Sequence, residues 1–337
     1  MAALRIGLLG AGHLGKIHLK CILATAKWRL AGFYDPDHQN ATTAIAQYQA
    51  RRFTSVAALL REVDAVDIVT PTPSHYRLAA QAIRAGKHVF IEKPVTQTLS
   101  QGLRLLQLAE QAGVKVQIGH VERFNPAYLA LRDMLLQPMF IESHRLAVFQ
   151  PRGTEVSVIL DLMIHDLDLV LHLVGSPVKS VSASGVAVLS QTPDIANARV
   201  EFANGCVANL TASRISMKQM RKMRLFQRDA YISLDFLDKT AQIVRLFDQN
   251  AQDLPPLDQL MEFETPAAGK KWLHLQMPDA TPVNAIQMEL ETFAESILSD
   301  KQTPVPLRDG LEALRLAHRI LREIEKRNAD VLQKAIV

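Results

Sequence analysis

The sequence is short of cysteine, of net charge and of long apolar runs, and each shortage closes off a class of function. Its two cysteines, Cys21 and Cys206, lie far apart and in no metal-ligand spacing, which excludes a thiolate metal site and fits a reducing cytosol. The net charge is only +4 over 337 residues. An isoelectric point near 9.0 suits an anionic ligand. No basic block supports nucleic-acid binding, however, and the densest cluster, Lys218 to Arg228, interleaves Met and Leu and reads as strand or loop surface. No apolar run reaches the ~18 residues that a membrane span needs. The apolar N-terminus is broken by Gly7, Gly10, Gly12 and Gly15, unlike a secretory segment. The expectation is a cytoplasmic protein with neither membrane nor nucleic acid as partner. Hydrophobic residues at 48% and charged residues at 21% are enough for a sizeable core, and the length suggests two domains.

What is present begins with a strand-turn-helix. Leu4 to Leu9 reads as a short strand running into Gly10-Ala11-Gly12-His13-Leu14-Gly15, and Leu14, Ile17, His18, Cys21 and Ile22 then recur at helical spacing. In this context the glycines are a dinucleotide-binding turn. Gly10 allows the tight turn, Gly12 the close approach of a pyrophosphate and Gly15 the packing of helix on strand, with the helix N-terminus facing the phosphates. A second strand, Leu30 to Tyr34, ends at Asp35, 20 residues past Gly15. An acid there accepts from both ribose hydroxyls and repels a 2′-phosphate, so NAD is expected over NADP. The alternation continues with a helix at 41–48, a short strand at 52–54, a helix capped by Ser55, a strand at 65–70 ending in Thr70-Pro71 and a helix capped by Ser74 after which His75 follows. The next strand, Lys87 to Pro94, is Val89-Phe90-Ile91 ended by Glu92, Lys93 and Pro94. Pro94 has no N–H for a ladder, so the strand stops there. A charged pair at the carboxyl end of a buried parallel strand lies where open α/β sheets bind ligands. A helix at 100–111 and a strand at 115–118 complete a parallel, doubly wound sheet.

The second half reads differently. Residues 140–149 alternate as a strand, and 156–174 read as one helix that puts Asp161, His165 and Asp168 at i, i+4 and i+7 on a single face. Three polar residues on one face of an apolar helix are costly to bury without a purpose. Strand candidates from Val178 to Phe247 predict a large, mostly antiparallel sheet with one open face. Residues 249–280 read as a loop excursion, and helices at 283–299 and 309–327 finish the chain. The fold class is therefore α/β: an N-terminal Rossmann doubly wound parallel sheet over 1–120, then a C-terminal α+β domain over 121–337 that carries substrate binding and oligomerisation. Packing of the final helices back on the first domain stays open.

Gly10–Gly15, Thr70-Pro71 with His75, Glu92-Lys93-Pro94, the Gly119-His120 strand end and Asp161-x-x-x-His165 with Asp168 together resemble the Gfo/Idh/MocA oxidoreductases over nearly the whole chain. One departure is the stretch before Asp161, Thr154 to Leu160, which lacks the glycines many members carry. The segments Gly119–Pro126 and Pro151-Arg152-Gly153, with Asp161–Asp168, resemble the branch acting on nucleotide sugars such as UDP-N-acetylglucosamine at C3. The resemblance implies an NAD-dependent dehydrogenase of a sugar secondary hydroxyl, a homodimer or homotetramer formed through the C-terminal sheet, and no metal. Lys93, His165 and Asp161 are the implied catalytic residues. His165 is the base and Lys93 polarises the same oxygen. Asp161 holds the His165 tautomer or contacts substrate, and Glu92 orients Lys93 or faces the cofactor. Cofactor contacts are expected from Gly10, Gly12, His13, Leu14, Gly15, Asp35, Thr70, Pro71, His75, Glu92 and Lys93. Substrate contacts are expected from Asn125, Asp161 and His165, with Arg123, Arg145 and Arg152 as candidates for a diphosphate. The competing readings are an NAD-dependent glycoside hydrolase, a reductase of a non-sugar carbonyl, and a dinucleotide-binding sensor without catalysis.

Overall fold

The computed structural model describes residues 3–150, 155–252, 254–266, 269–278 and 283–335. The chain forms two compact units, Met1–Phe124 with Val283–Arg315, and Asn125–Pro282 with Leu316–Val337.

In the first unit strands and helices alternate: β1 (Leu4–Leu9), α1 (His13–Leu23), β2 (Trp28–Tyr34), α2 (His38–Tyr48), α3 (Val56–Leu60), β3 (Ala65–Ile68), α4 (His75–Arg84), β4 (His88–Glu92), α5 (Leu99–Ala112) and β5 (Val116–Gly119). The strands lie in the order β2-β1-β3-β4-β5 and every pair is parallel. The order reverses between β1 and β3, and the crevice at the carboxyl ends of those strands is the ligand position of such a sheet. β3 is buried along its whole length, as a parallel strand covered on both faces must be. Local chemistry sets the helix ends. The Asp37 carboxylate accepts from Asn40 N–H at the start of α2, Thr98 and Gln101 form a reciprocal capping box on α5, and Gly113 ends α5 in the left-handed region. Two expectations need correction. Ser74 makes no capping bond, because its hydroxyl instead donates to Thr70 Oγ1 and the Pro71 carbonyl. The strand expected at 52–54 shrinks to one bridge between Phe33 and Arg52.

The second unit opens with a short helix α6 (Pro126–Leu129) and β6 (Phe140–Leu146). A π-helical turn (Ile159–Met163) leads into α7 (Ile164–Val174), and β7 (Val178–Val186), β8 (Ile195–Phe202), β9 (Val207–Ser213), β10 (Met220–Phe226), β11 (Ala230–Asp235), β12 (Thr240–Asp248), β13 (Leu260–Thr265) and β14 (Gly269–Gln276) follow. Nine strands join in the order β13-β14-β12-β11-β10-β6-β9-β8-β7. All pairs are antiparallel except β6 with β9. Alternate residues of β8 are buried and exposed, which makes one face of the sheet core and leaves the other solvated. α7 and the end of the last helix supply the partners of the inner face, with Met163, Leu167, Val170 and Ile320 among Leu210, Leu225 and Ile232.

Here the sequence misleads in two places. The expected excursion at 249–280 contains two strands. β13 is largely exposed, and β14 is half-buried with His274 its one buried residue, so no clear apolar alternation marks them. Their pairing is reinforced across the strands by Lys270 with Glu262 at 2.7 Å and by Lys271 with Asp248 of β12. The helix expected over 156–174 is interrupted by the π turn, a widening that periodicity cannot show and that often marks a functional position. The last two helices, α8 (Ala285–Leu298) and α9 (Leu307–Ala335), divide between the units. α8 and the start of α9 group with the first unit and the rest of α9 with the second.

Candidate active site

The glycine turn of the first unit is shaped for a ligand. Gly10 has φ +95°, and a Cβ there would meet the Val69 carbonyl at 2.8 Å, so only glycine fits. A Cβ on Gly15 would lie 2.0 Å from the Gly10 carbonyl, with Leu8 of β1 behind it at 3.6 Å. The turn thus closes on itself, and the helix packs first on the loop rather than on the strand. Gly12 is the opposite case. It caps α1 with no side-chain bond to the first N–H groups, and a Cβ on it would meet nothing within 4 Å. Uncapped donors beside open space suit a pyrophosphate. His13 and Leu14, in the first turn of α1, are exposed there.

Asp35 is buried, and each of its oxygens takes a backbone N–H, Oδ2 from Ala11 at 2.7 Å and Oδ1 from Asp37 at 2.8 Å. The carboxylate is therefore fixed against the glycine turn, where a ribose would lie. Of the two arginines that follow, Arg51 is bonded to both Glu62 oxygens, and Arg52 donates to the Asp35 carbonyl at 2.8 Å. These residues fit NAD: an open helix N-terminus for its phosphates and an acid for its ribose.

The turns after β3 and β4 are tied together by His75. Its Nδ1 lies 2.9 Å from the Pro94 carbonyl and its Nε2 2.7 Å from the Thr70 carbonyl. Burial pushes the His75 pKa down against both carbonyls. In the neutral ring only one nitrogen donates. Thr70 also receives the Ser74 hydroxyl at 2.6 Å, while Pro71 is exposed. Past β4, Lys93 is half-buried and Glu92 buried, and the Lys93 N–H donates to Glu92 Oε2 at 3.2 Å. Glu92 pairs with Gly119 in the sheet, and a Cβ on Gly119 would meet its carboxylate atoms at 2.8–3.1 Å. The carboxylate therefore occupies the volume that only glycine leaves empty.

In the second unit Asp161 sits on the π turn and His165 in the first turn of α7. Both are half-buried, while Asp168 is buried. His165 and Asp168 share a helical face at i, i+3, and Asp161 precedes them on the π turn. The entry to this segment is anchored. The Arg214 guanidinium donates to the Val156 carbonyl, and Val158 N–H donates to the Pro193 carbonyl at 3.0 Å. Next to Pro193, Asp194 Oδ2 accepts from the N–H groups of Val188, Leu189 and Ser190.

Three residues expected at the substrate are already engaged. Arg145 is 3% exposed and its Nε and Nη2 grip the Asp166 carboxylate at 2.7–3.2 Å. Arg123, buried in the first unit, pairs with Asp309 at 3.0 Å. Asn125 caps α6 through Ala127 N–H at 3.1 Å and donates to the Phe236 carbonyl at 3.0 Å. These bonds anchor the three side chains within their own units. Arg152 lies outside the described residues. Sequence reasoning missed His18 and Asp67, which meet Glu92 in the core of the first unit. The available signal was an aspartate in the middle of the apolar run Ala65-Val66-Asp67-Ile68-Val69.

Fold and site together define an oxidoreductase with a dinucleotide-binding Rossmann unit and a sheet-bearing second unit. The chain belongs to the GFO/IDH/MocA family. The description "oxidoreductase family, NAD-binding Rossmann fold" matches residues 4–120, and the family's C-terminal domain matches residues 142–232. The chain is 38% identical over 298 residues to UDP-N-acetylglucosamine 3-dehydrogenase of Acidithiobacillus ferrooxidans, across 88% of this chain and 93% of that protein. A solved structure of that enzyme superposes with a TM-score of 0.86 at 36% identity, covering 97% of this chain and 99% of the other. An uncharacterized oxidoreductase of Bacillus subtilis, YrbE, is 25% identical across 92% of this chain and 91% of its own length. Among the described residues no helix is long and apolar enough to cross a membrane.

Proposed function

We propose that this protein oxidises a secondary hydroxyl of a nucleotide sugar, UDP-N-acetylglucosamine at C3 being the first candidate, with NAD as acceptor. The observation that carries the substrate is the likeness to the Acidithiobacillus enzyme along nearly the full length of both chains. The Asp35 carboxylate, fixed by two backbone donors, favours NAD over NADP, because a 2′-phosphate would be repelled there. NAD, when bound, supplies the hydride acceptor. The chain's own residues handle the proton and the oxygen. His165 takes the hydroxyl proton, an imidazole being the side chain suited to proton exchange near neutrality. The Lys93 ammonium donates to a substrate oxygen as negative charge develops, and Asp161 orients the imidazole or binds the sugar. Because Arg123 and Arg145 are committed to Asp309 and Asp166, Arg152 is our candidate for the diphosphate. The solvated face of the nine-stranded sheet is our candidate for assembly of a cytoplasmic homodimer or homotetramer.

The test is a panel of UDP-sugars with NAD+, with and without 2-oxoglutarate, followed at the NADH absorbance. UDP-N-acetylglucosamine should give stoichiometric NADH, or turnover that depends on the 2-oxo acid. Sugar release without net NADH would show hydrolysis instead.

A further inference from the structure

Under the Glu92–Lys93 strand end, three ionisable side chains meet inside the first unit. His18 on α1 and Asp67 in the middle of β3 are both 0% exposed, and Glu92 at the end of β4 is 8% exposed. The His18 Nδ1 lies 2.8 Å from Asp67 Oδ2, and its Nε2 lies 3.2 Å from Glu92 Oε1. A neutral imidazole has one N–H and one lone pair. It can satisfy one carboxylate only, and would turn its lone pair on the other. With both carboxylates ionised, both contacts are favourable together only if the ring is an imidazolium, bonded to Asp67 through Nδ1 and facing Glu92 at Nε2 as an ion pair without a hydrogen bond; a proton held on Asp67, whose pKa burial raises, would instead leave the ring neutral. Burial opposes that charge, but the two carboxylates outweigh it and hold the His18 pKa well above the ordinary range. With the Lys93 ammonium acting on Glu92, the charges alternate in sign from Asp67 through His18 and Glu92 to Lys93. The neighbours of this row are few. The Cys21 thiol lies near His18 on the same helix and is pushed up by burial, the Phe90 ring meets the imidazole edge-on at 5.9 Å, and His75 acts on Glu92 from α4. Among the described residues no such cluster has the geometry to hold a metal ion.

Stability does not explain the arrangement. Buried ions desolvated in this way are often no better than well-packed apolar side chains of the same volume. What it does accomplish is to fix the Glu92 carboxylate over Gly119, with the Lys93 N–H bonded to it. We propose that His18 is a positioning residue: anchored by Asp67, its imidazolium holds the Glu92 carboxylate in place, and through it the backbone and charge of Lys93. This rests on the dehydrogenase reading for what Lys93 does, but the charge state of His18 can be tested without turnover.

The first measurement is a pH titration of the His18 ring nitrogens by NMR in the wild-type protein without added sugar. The ring should remain an imidazolium well above the pH at which an ordinary imidazole loses its proton, and titrate lower in Asp67→Asn; a neutral ring at pH 7 overturns the proposal. The second is kinetics with UDP-N-acetylglucosamine and NAD+. His18→Gln should lose about 100-fold in kcat, the scale of a misplaced catalytic group, while NAD affinity by calorimetry stays within about threefold. Asp67→Asn should move the alkaline limb of the kcat profile to lower pH, which a merely structural residue would not do. Unchanged kcat in His18→Gln, or a loss matched by an equal loss of NAD affinity, overturns the positioning role. A wild type inactive on every sugar would refute the substrate reading alone, and the ring titration still decides the arrangement of charges.

Discussion

Buried charge is arranged in opposite ways in the two units. In the first it forms an open row, Asp67, His18 and Glu92, which ends at the half-buried Lys93 at the carboxyl edge of a parallel sheet. In the second it is closed off. Arg145 and Asp166 satisfy each other in a nearly fully buried pair, and Asp194 is saturated by backbone N–H groups on a turn. A closed pair can only hold structure. An open row transmits position to its exposed end, and that end is where chemistry is expected. The comparison predicts that charge substitutions in the open row change rate and those in the Arg145–Asp166 pair or at Asp194 change stability.

The largest effect tests the open end. Lys93→Met removes the ammonium but keeps the length of the side chain. Steady-state kinetics should show kcat reduced about 1,000-fold, the upper range for loss of one preorganised donor, with NAD binding retained. Normal turnover in this variant would end the assignment of Lys93 to the reacting oxygen. The second effect tests the closed pair. Arg145→Ala strands the Asp166 carboxylate in the core and should cost about 3–5 kcal/mol in denaturant unfolding. Replacing both partners by apolar residues, Arg145→Met with Asp166→Leu, should recover much of that loss. No recovery would mean that the pair reaches beyond its own two members.

How far this could be read in advance follows the same division. The first unit was legible because each feature has local chemistry: glycines where φ or space demands them, an acid at the end of β2, a proline at the end of β4. The row beneath it was not legible, because Asp67 and His18 are brought together only by parallel packing of β3 under α1, which no spacing encodes. In the second unit the sheet followed from alternation as far as β12. β13 and β14 escaped because β13 is largely exposed and the one buried side chain of β14 is the polar His274. The π turn escaped because an inserted backbone residue leaves no compositional mark. The pairing of Arg123 with Asp309 and of Arg145 with Asp166 was not legible either, because partners 186 and 21 residues away carry no local mark.

A smaller effect separates rate from stability with the same substitution in both units. Gly119→Ala would drive a methyl into the Glu92 carboxylate at 2.8–3.1 Å, while Gly185→Ala would meet Ile324 at 2.9 Å and Pro193 at 3.3 Å. Each should destabilise by about 1–3 kcal/mol through overpacking. Only Gly119→Ala should also lower kcat, by about tenfold or more, because only there does the crowded neighbour lead to Lys93. Equal kinetics in the two variants would remove the functional distinction between the open row and the packing around Gly185.

The smallest effect is read in the pH dependence of unfolding, where the two units should fail at opposite ends. Burial pushes the Asp194 pKa up, but the Leu189, Val188 and Ser190 donors pull it down further, to about 2 from an ordinary 3.8. A depressed carboxyl adds stability above its unfolded value, and that stability is lost as the pH falls from 3.8 through about 2. His18 has the opposite sign. Its raised pKa adds stability that is complete below an unfolded value of about 6.5 and is lost as the pH rises through the folded one. Thermal unfolding across pH should therefore show an acid limb that Asp194→Asn flattens and an alkaline limb that His18→Gln flattens. Each limb should be about 3 °C in Tm, the scale of roughly 1 kcal/mol in a chain of this size. If His18→Gln left the alkaline limb unchanged, the imidazolium would not be the group that titrates there, and the contrast between an open row and a closed pair would rest on geometry alone.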